Sequence, residues 1–294
     1  MQRTVRHIGL SVTLSQVDPL HYAAGWDGTL AGPENDAKLF ETLLASAADS
    51  SASYELWPYA TEKATRSAVI NALDFAASRL ADGSTLVVYV AAHGGQVPNL
   101  IDDGDPLDAI ALYDGMLLDI ELHELWCRFE PGVRIVMLAD TCSSGTVGFF
   151  GSPGITRVAR RMQHAVSTAL GGSTSRGVPA DILRQTFDLN RQQYEQYQVT
   201  AADLLATSTP LRASVLQIGA CADGAEAFER GGTGVFTEAL HATFSAAFTG
   251  SYRQLYESLR APCAPQEPTY ESSQPDSDPF SGLRAFSPSG TPAS

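Results

Sequence analysis

The sequence predicts an α/β fold: a mostly parallel sheet of about six strands with helices packed on both faces, three layers in all. Three observations carry this. Short apolar, β-branched runs alternate with longer stretches of helical periodicity. Two of those runs, 84–92 (STLVVYVAA) and 133–138 (VRIVML), are apolar at nearly every residue, the pattern of strands buried on both faces. Both lead into short polar segments, His93-Gly94-Gly95 and Asp140-Thr141-Cys142. In open α/β sheets, ligands bind outside the carboxyl ends of the strands.

Taken in order, residues 7–14 (HIGLSVTL) read as a first strand, followed by a Gly- and Asp-containing loop. Residues 32–47 read as a helix, with Asp36 near its start and Leu39, Phe40, Leu43 and Leu44 at helical spacing. A short strand at 54–59 and a helix at 65–80 follow. After the 84–92 strand comes an acidic loop (LIDDGDPLDAIALYDG), then a helix at 117–129 and the 133–138 strand. Residues 146–212 are rich in Gly, Ser and Thr around LGGSTSRGVP and read as an insertion or linker with exposed loops, in which RVARRMQHAVSTAL and QTFDLNRQQYEQY have helical character. The strand pattern resumes at 214–220, with helices at 234–248 and 252–259. One domain is therefore expected over 1–272, with a Pro-, Ser- and Asp-rich flexible tail over 273–294.

Composition narrows the function classes. The chain has 294 residues, 44% hydrophobic and 18% charged, as globular proteins are. A net charge of -14 provides no basic footprint for nucleic acid and no polybasic membrane patch. It favours cationic partners through long-range attraction. The start, MQRTVRHIGLSVTL, has too short and interrupted an apolar part for a secretory signal, and no run approaches the ~18 apolar residues of a membrane span. The four cysteines are widely spaced without a CxxC pair, against a zinc site or a disulfide framework. The expected setting is the reducing cytoplasm.

The chemistry concentrates at the two strand ends. A thiol nucleophile needs a base and donors for the oxyanion that develops on the attacked carbonyl. His93 and Cys142 leave neighbouring strand ends, and parallel strands lie about 4.8 Å apart, so the two side chains can converge. Gly94 carries no side chain, so its backbone N–H can approach a substrate carbonyl, and the Cys142 N–H is the other natural donor. A buried structural cysteine is the bland alternative for Cys142.

The combination AAHGG and DTCSSG resembles the His-Gly and Asp-x-Cys-x-Ser-Gly motifs of the caspase-like clan, peptidase family C14, and specifically of metacaspases and their bacterial relatives, the orthocaspases. The His-to-Cys spacing agrees with the roughly 50 residues of caspases. GPENDA, DGDPLDAIALYDG, GACADGAEAFE with GVFTEAL, and QEPTYE resemble further metacaspase blocks in the same order, so the likeness covers about 5–145 and 213–272. It implies a caspase-like fold, His93 as base, Cys142 as nucleophile through a thioester, and cleavage of proteins after Arg or, less well, Lys. It implies Asp36 and Asp140 as walls of the primary specificity pocket. That agrees with physics, because paired carboxylates favour a guanidinium or ammonium and repel an aspartate. Asp223 is a further candidate for the pocket.

Bacterial relatives work in regulated cell death or antiviral defence, so the implied partner is a protein with an exposed basic site, such as a pore-forming protein. Arg157, Arg160, Arg161, Arg176 and Arg184 are candidate self-cleavage points if the insertion is exposed. Metacaspases are commonly calcium-activated. Here Asp102, Asp103, Asp105, Asp108 and Asp119 supply suitable oxygens, and a solvated acidic loop is the other reading. Pro33 stands where the family has a cysteine, Ile120 where a second calcium carboxylate is expected, and no cofactor is required. An idle scaffold of the same fold, or a clan relative cutting after Asp or Asn, are the competing functions.

Overall fold

The computed structural model describes residues 5–48, 52–101, 104–142, 173–222, 224–245, 247–274, 280 and 282–294. A first strand, β1 (His7–Thr13), leads through a loop into α1 (Pro33–Ala47) and β2 (Glu55–Ala60). The chain continues through α2 (Arg66–Arg79), β3 (Thr85–Ala91), β4 (Gly94–Val97), β5 (Leu107–Leu112), β6 (Gly115–Leu118), α3 (Asp119–Cys127) and β7 (Arg134–Asp140). After β8 (Ser173–Ser175) come α4 (Ala180–Leu189), α5 (Arg191–Thr207), β9 (Ser214–Gly219), β10 (Phe228–Arg230), β11 (Thr233–Gly234), α6 (Val235–Thr243), α7 (Tyr252–Leu259) and β12 (Thr269–Ser272).

The main sheet has the order β12-β9-β7-β3-β1-β2. All its pairs are parallel except β12 with β9. The expected six-stranded, mostly parallel sheet is present. Side chains alternate along each strand, so β3 sends Leu86, Val88 and Val90 into one apolar layer and Val87, Tyr89 and Ala91 into the other. The first layer holds Leu73 of α2, Leu122 of α3 and Tyr194 of α5, and the second holds Leu43 of α1, Phe236 of α6 and Leu255 of α7. Dry layers on both faces explain why the interior residues of β3 and β7 are apolar.

Three expectations need correction. The acidic loop after His93 is largely a second sheet, an antiparallel β4-β5-β6. The part of the insertion after Ser173 is folded: Phe187 and Tyr194 are buried, and α5 packs on α3. The end of the chain is no flexible tail, because Phe280, Ala285 and Phe286 are buried in the α1-α6-α7 layer. The Phe286 N–H donates to the Tyr252 hydroxyl at 2.9 Å, and aromatic burial of this size offsets the ordering entropy of a short segment. Arg157, Arg160, Arg161, Asp102, Asp103 and Asp223 lie outside the described residues. No helix among the described residues is long and apolar enough to cross a membrane.

Candidate active site

The register pairs Ala91 of β3 with Asp140 of β7, so the segments that follow, with His93 and Cys142, leave the same end of adjacent strands. Both side chains are buried. The His93 Nε2 lies 3.1 Å from the Gly28 carbonyl. A carbonyl can only accept, so Nε2 carries the proton and Nδ1 keeps its lone pair. Nδ1 is buried and has no hydrogen-bond partner among the described residues, the position of a base awaiting a proton. The Trp26 ring meets the imidazole edge to face at 4.9 Å. Burial lowers the His93 pKa from 6.5 to about 4, against the opposing pull of the Gly28 backbone. The Cys142 thiol accepts the Ala227 N–H at 3.1 Å, and burial pushes its pKa well up. In this closed state the pair is neutral thiol and neutral imidazole.

Residues 173–178 explain the burial. They run through the cleft as an extended strand. β8 pairs antiparallel with β10, Ser175 opposite Phe228 and Thr174 opposite Glu229. The Arg176 N–H donates to the Ala227 carbonyl at 2.8 Å. The Arg176 carbonyl in turn accepts the Gly94 N–H at 2.9 Å, and the Val178 N–H donates to the Gly94 carbonyl at 3.0 Å. Gly177 lies over the thiol, where a Cβ would be 3.4 Å from Cys142 Sγ. Gly94 must be glycine, because a Cβ there would collide with the Cys142 carbonyl.

The Arg176 side chain is fully buried among three carboxylates. It pairs with Asp36 in the first turn of α1, with Asp140 Oδ2 at 3.0 Å and with Glu229 Oε2 at 3.5 Å. Each carboxylate is itself positioned. Asp36 accepts the Gly234 N–H at 3.0 Å, and Asp140 accepts the Thr237 hydroxyl at 2.6 Å. Glu229 accepts the Ala31 and Gly32 N–H groups at 2.8 and 3.0 Å. Burial raises Asp36 to about 6 and raises Asp140 as well, against the opposing pull of Arg176, with a neighbouring carboxylate adding to the rise at each.

Among the expected site residues, the structure therefore brings together His93, Gly94, Cys142, Asp36 and Asp140. Arg176 is corrected from an exposed loop residue to a buried one, because its charge is met by three acids. Arg184 is exposed on α4, in helical rather than extended backbone. Glu229 was not foreseen, and its only sequence signal is its place in the GAEAFE block. Cys221 packs with its Sγ against the Thr141 and Ala225 carbonyls at 3.5 and 3.4 Å. Of the acids considered for calcium, Asp105 is exposed, Asp108 accepts the Gln96 amide at 2.8 Å and Asp119 accepts the Ile120 N–H at 2.8 Å. These three do not make a fitting cage, and no group of three or more His, Cys, Asp or Glu able to hold a metal occurs among the described residues.

Two predictions arise here. Gly94→Ala is expected to lower kcat on an arginyl peptide by about 10²–10³-fold, because alanine keeps the N–H but its Cβ collides with the Cys142 carbonyl and pushes that donor off the oxyanion. Unchanged kcat in steady-state assays would remove Gly94 from that role. The second concerns stability. Between pH 6.5 and 4 the unfolded chain protonates His93 while the folded chain does not, so stability falls with falling pH across that window. Urea titrations of the wild type and His93→Gln at pH 7 and pH 4 should show their stability difference shift by about 3 kcal/mol in favour of the variant at the lower pH. Comparing the two chains isolates His93 from Asp36, whose raised pKa acts in the opposite direction.

A histidine and a cysteine at neighbouring strand ends, beside a main-chain donor and an acidic arginine pocket, define a caspase-type cysteine-peptidase domain. The caspase-domain model of peptidase family C14 matches residues 19–278, and the chain belongs to that family. It is similar to metacaspase-1 of Saccharomyces cerevisiae, 26% identical over 242 residues, 72% of this chain and 54% of that protein. Metacaspase-1 of Kluyveromyces lactis is 25% identical, over 67% of this chain and 49% of the yeast protein. The chain thus spans about half the length of these curated relatives. The crystal structure of protein GSU0716 from Geobacter sulfurreducens superposes with a TM-score of 0.75 at 28% identity, covering 96% of this chain and 98% of that one.

Proposed function

We propose that this protein is a cysteine endopeptidase that cuts polypeptides after arginine, and that it processes itself at Arg176–Gly177. The observation that carries the reading is the seating of Arg176. Its guanidinium is held by Asp36, Asp140 and Glu229, and its carbonyl receives the Gly94 N–H beside Cys142. Cys142 Sγ attacks that carbonyl, and the negative charge on its oxygen is met by the Gly94 and Cys142 amides. His93 Nδ1 takes the thiol proton and passes it to the leaving nitrogen, while Gly28 holds the ring in the working tautomer. Water then hydrolyses the thioester. Lysine fits less well because a single ammonium lacks the forked donors that reach three carboxylates. An aspartate or asparagine would leave the acids without a cation.

Protein substrates with an exposed basic site follow from this chemistry. A cytoplasmic setting, a role in bacterial cell death or antiviral defence, and a pore-forming target rest on the family resemblance. The test is a panel of fluorogenic peptides ending in Arg, Lys, Asp and Asn, with and without calcium, alongside mass spectrometry of the intact chain and of Cys142→Ala. Turnover of the Arg peptide is expected. Turnover of the Asp peptide instead would defeat the acidic-pocket argument, and no turnover of any would favour an idle scaffold.

A further inference from the structure

Ordinary proteolysis is driven forward because the leaving peptide diffuses away before water attacks the acyl-enzyme. At Arg176–Gly177 the leaving side is built into the fold. The Val178 N–H is bonded to the Gly94 carbonyl at 3.0 Å, and Val178 is buried. Leu183 of α4 presses on Gly95. The Thr186 hydroxyl accepts the buried Ala23 N–H at 2.9 Å. In α5, the fully buried Tyr194 accepts the Met116 N–H at 3.1 Å, and Gln198 holds the Leu100 N–H at 2.7 Å and the Pro98 carbonyl at 3.0 Å. None of these contacts depends on the Arg176–Gly177 bond. The acyl side is held as firmly, by three ladder pairs to β10 and by the three carboxylates around the guanidinium.

From this two-sided grip, and resting on the peptidase reading above, we infer that the site reseals its own cut: the Gly177 amine, retained beside Cys142, competes with water for the Arg176 thioester and restores the peptide bond. The steps balance without any outside reagent. In opening, the Cys142 S–C bond forms, the Arg176–Gly177 C–N bond breaks, and the thiol proton goes to the Gly177 nitrogen through His93. In resealing, the Gly177 nitrogen attacks the thioester carbon, C–N forms, S–C breaks, and a proton returns to sulfur by the same ring. Water diverts the thioester to the Arg176 carboxylate, and the enzyme can re-form the thioester from that carboxylate with loss of one water. A tethered amine at short range has a high effective concentration, which favours the return step. The protein then persists as an interconverting mixture of intact and nicked chains, and an added peptide is cut only by the fraction whose 173–178 strand has left the cleft. Activation requires displacing the 173–178 strand as well as cutting it.

The experiment uses the full wild-type chain in oxygen-18 water at about pH 8, where a free α-amine is substantially deprotonated. Samples are quenched, alkylated, digested at acidic residues and analysed for the peptide spanning Arg176–Gly177. Either oxygen of the carboxylate can leave as water, so repeated cycles accumulate heavy oxygen in the Arg176 carbonyl, and the uncut spanning peptide should gain one oxygen-18 in the wild type and none in Cys142→Ala. Leu183→Ala, which loosens the retained side away from the reacting groups, should raise the nicked fraction severalfold. Progressive nicking in which the remaining intact pool stays unlabelled, while arginyl peptides are turned over, overturns the resealing inference and leaves the peptidase reading standing. Turnover of arginyl peptides with neither nick nor label overturns it as well. Absence of peptide turnover, nick and label together overturns the peptidase reading and the inference with it.

Discussion

Cys142→Ala is expected to lower turnover of an arginyl peptide by roughly 10⁴–10⁶-fold and to leave the chain uncut at Arg176. The size follows from the lack of any substitute. Cys221 is buried, and its sulfur meets the Thr141 and Ala225 carbonyls. The structural effect is small by comparison, the loss of one sulfur acceptor for the Ala227 N–H, about 1 kcal/mol. The variant should therefore fold, keep Arg176 seated and melt close to the wild type by calorimetry. Residual self-cutting at Arg176 in a protease-free preparation would assign the nucleophile elsewhere.

Asp140→Asn should reduce kcat/KM for arginyl peptides by about 10²–10³-fold, which corresponds to about 3–4 kcal/mol of lost interaction with the guanidinium. Asn preserves the shape and can still accept the Thr237 hydroxyl, so the change is mainly one of charge. The loss is large because Asp140 and Arg176 are both fully buried and their 3.0 Å pair is unscreened by water. The same substitution should narrow the preference for Arg over a neutral isostere such as citrulline, measured with matched peptides. Equal losses on both peptides would mean that Asp140 shapes the pocket without reading charge.

The sheet was legible because its strands announce themselves. β3 and β7 are buried on both faces and so are apolar along their interior residues, and α1 and α7 carry their contacts at helical spacing. The placement of His93 and Cys142 followed from those strands. The β4-β5-β6 sheet was hidden because its strands are short and stand among glycines and aspartates, while Asp108, which reads as a loop residue, is buried on Gln96. Helix α6 is shorter than its phenylalanine spacing suggested, since Phe244 turns to extended backbone and packs on Phe286. The role of Arg176 could not be read locally. It lies in a Gly- and Ser-rich run, and its three acids come from α1, β7 and β10, distant in sequence and joined only by the fold.

The strand that fills the cleft over His93 also makes the closed form the proton-poor state of that imidazole, because burial lowers its pKa to about 4. Exposing His93 to water lifts its pKa back toward 6.5, so the ring takes up a proton near that pH. Opening is thus coupled to proton binding. A fall in pH from neutral shifts the population toward the open cleft, and a peptide that covers the ring again releases that proton.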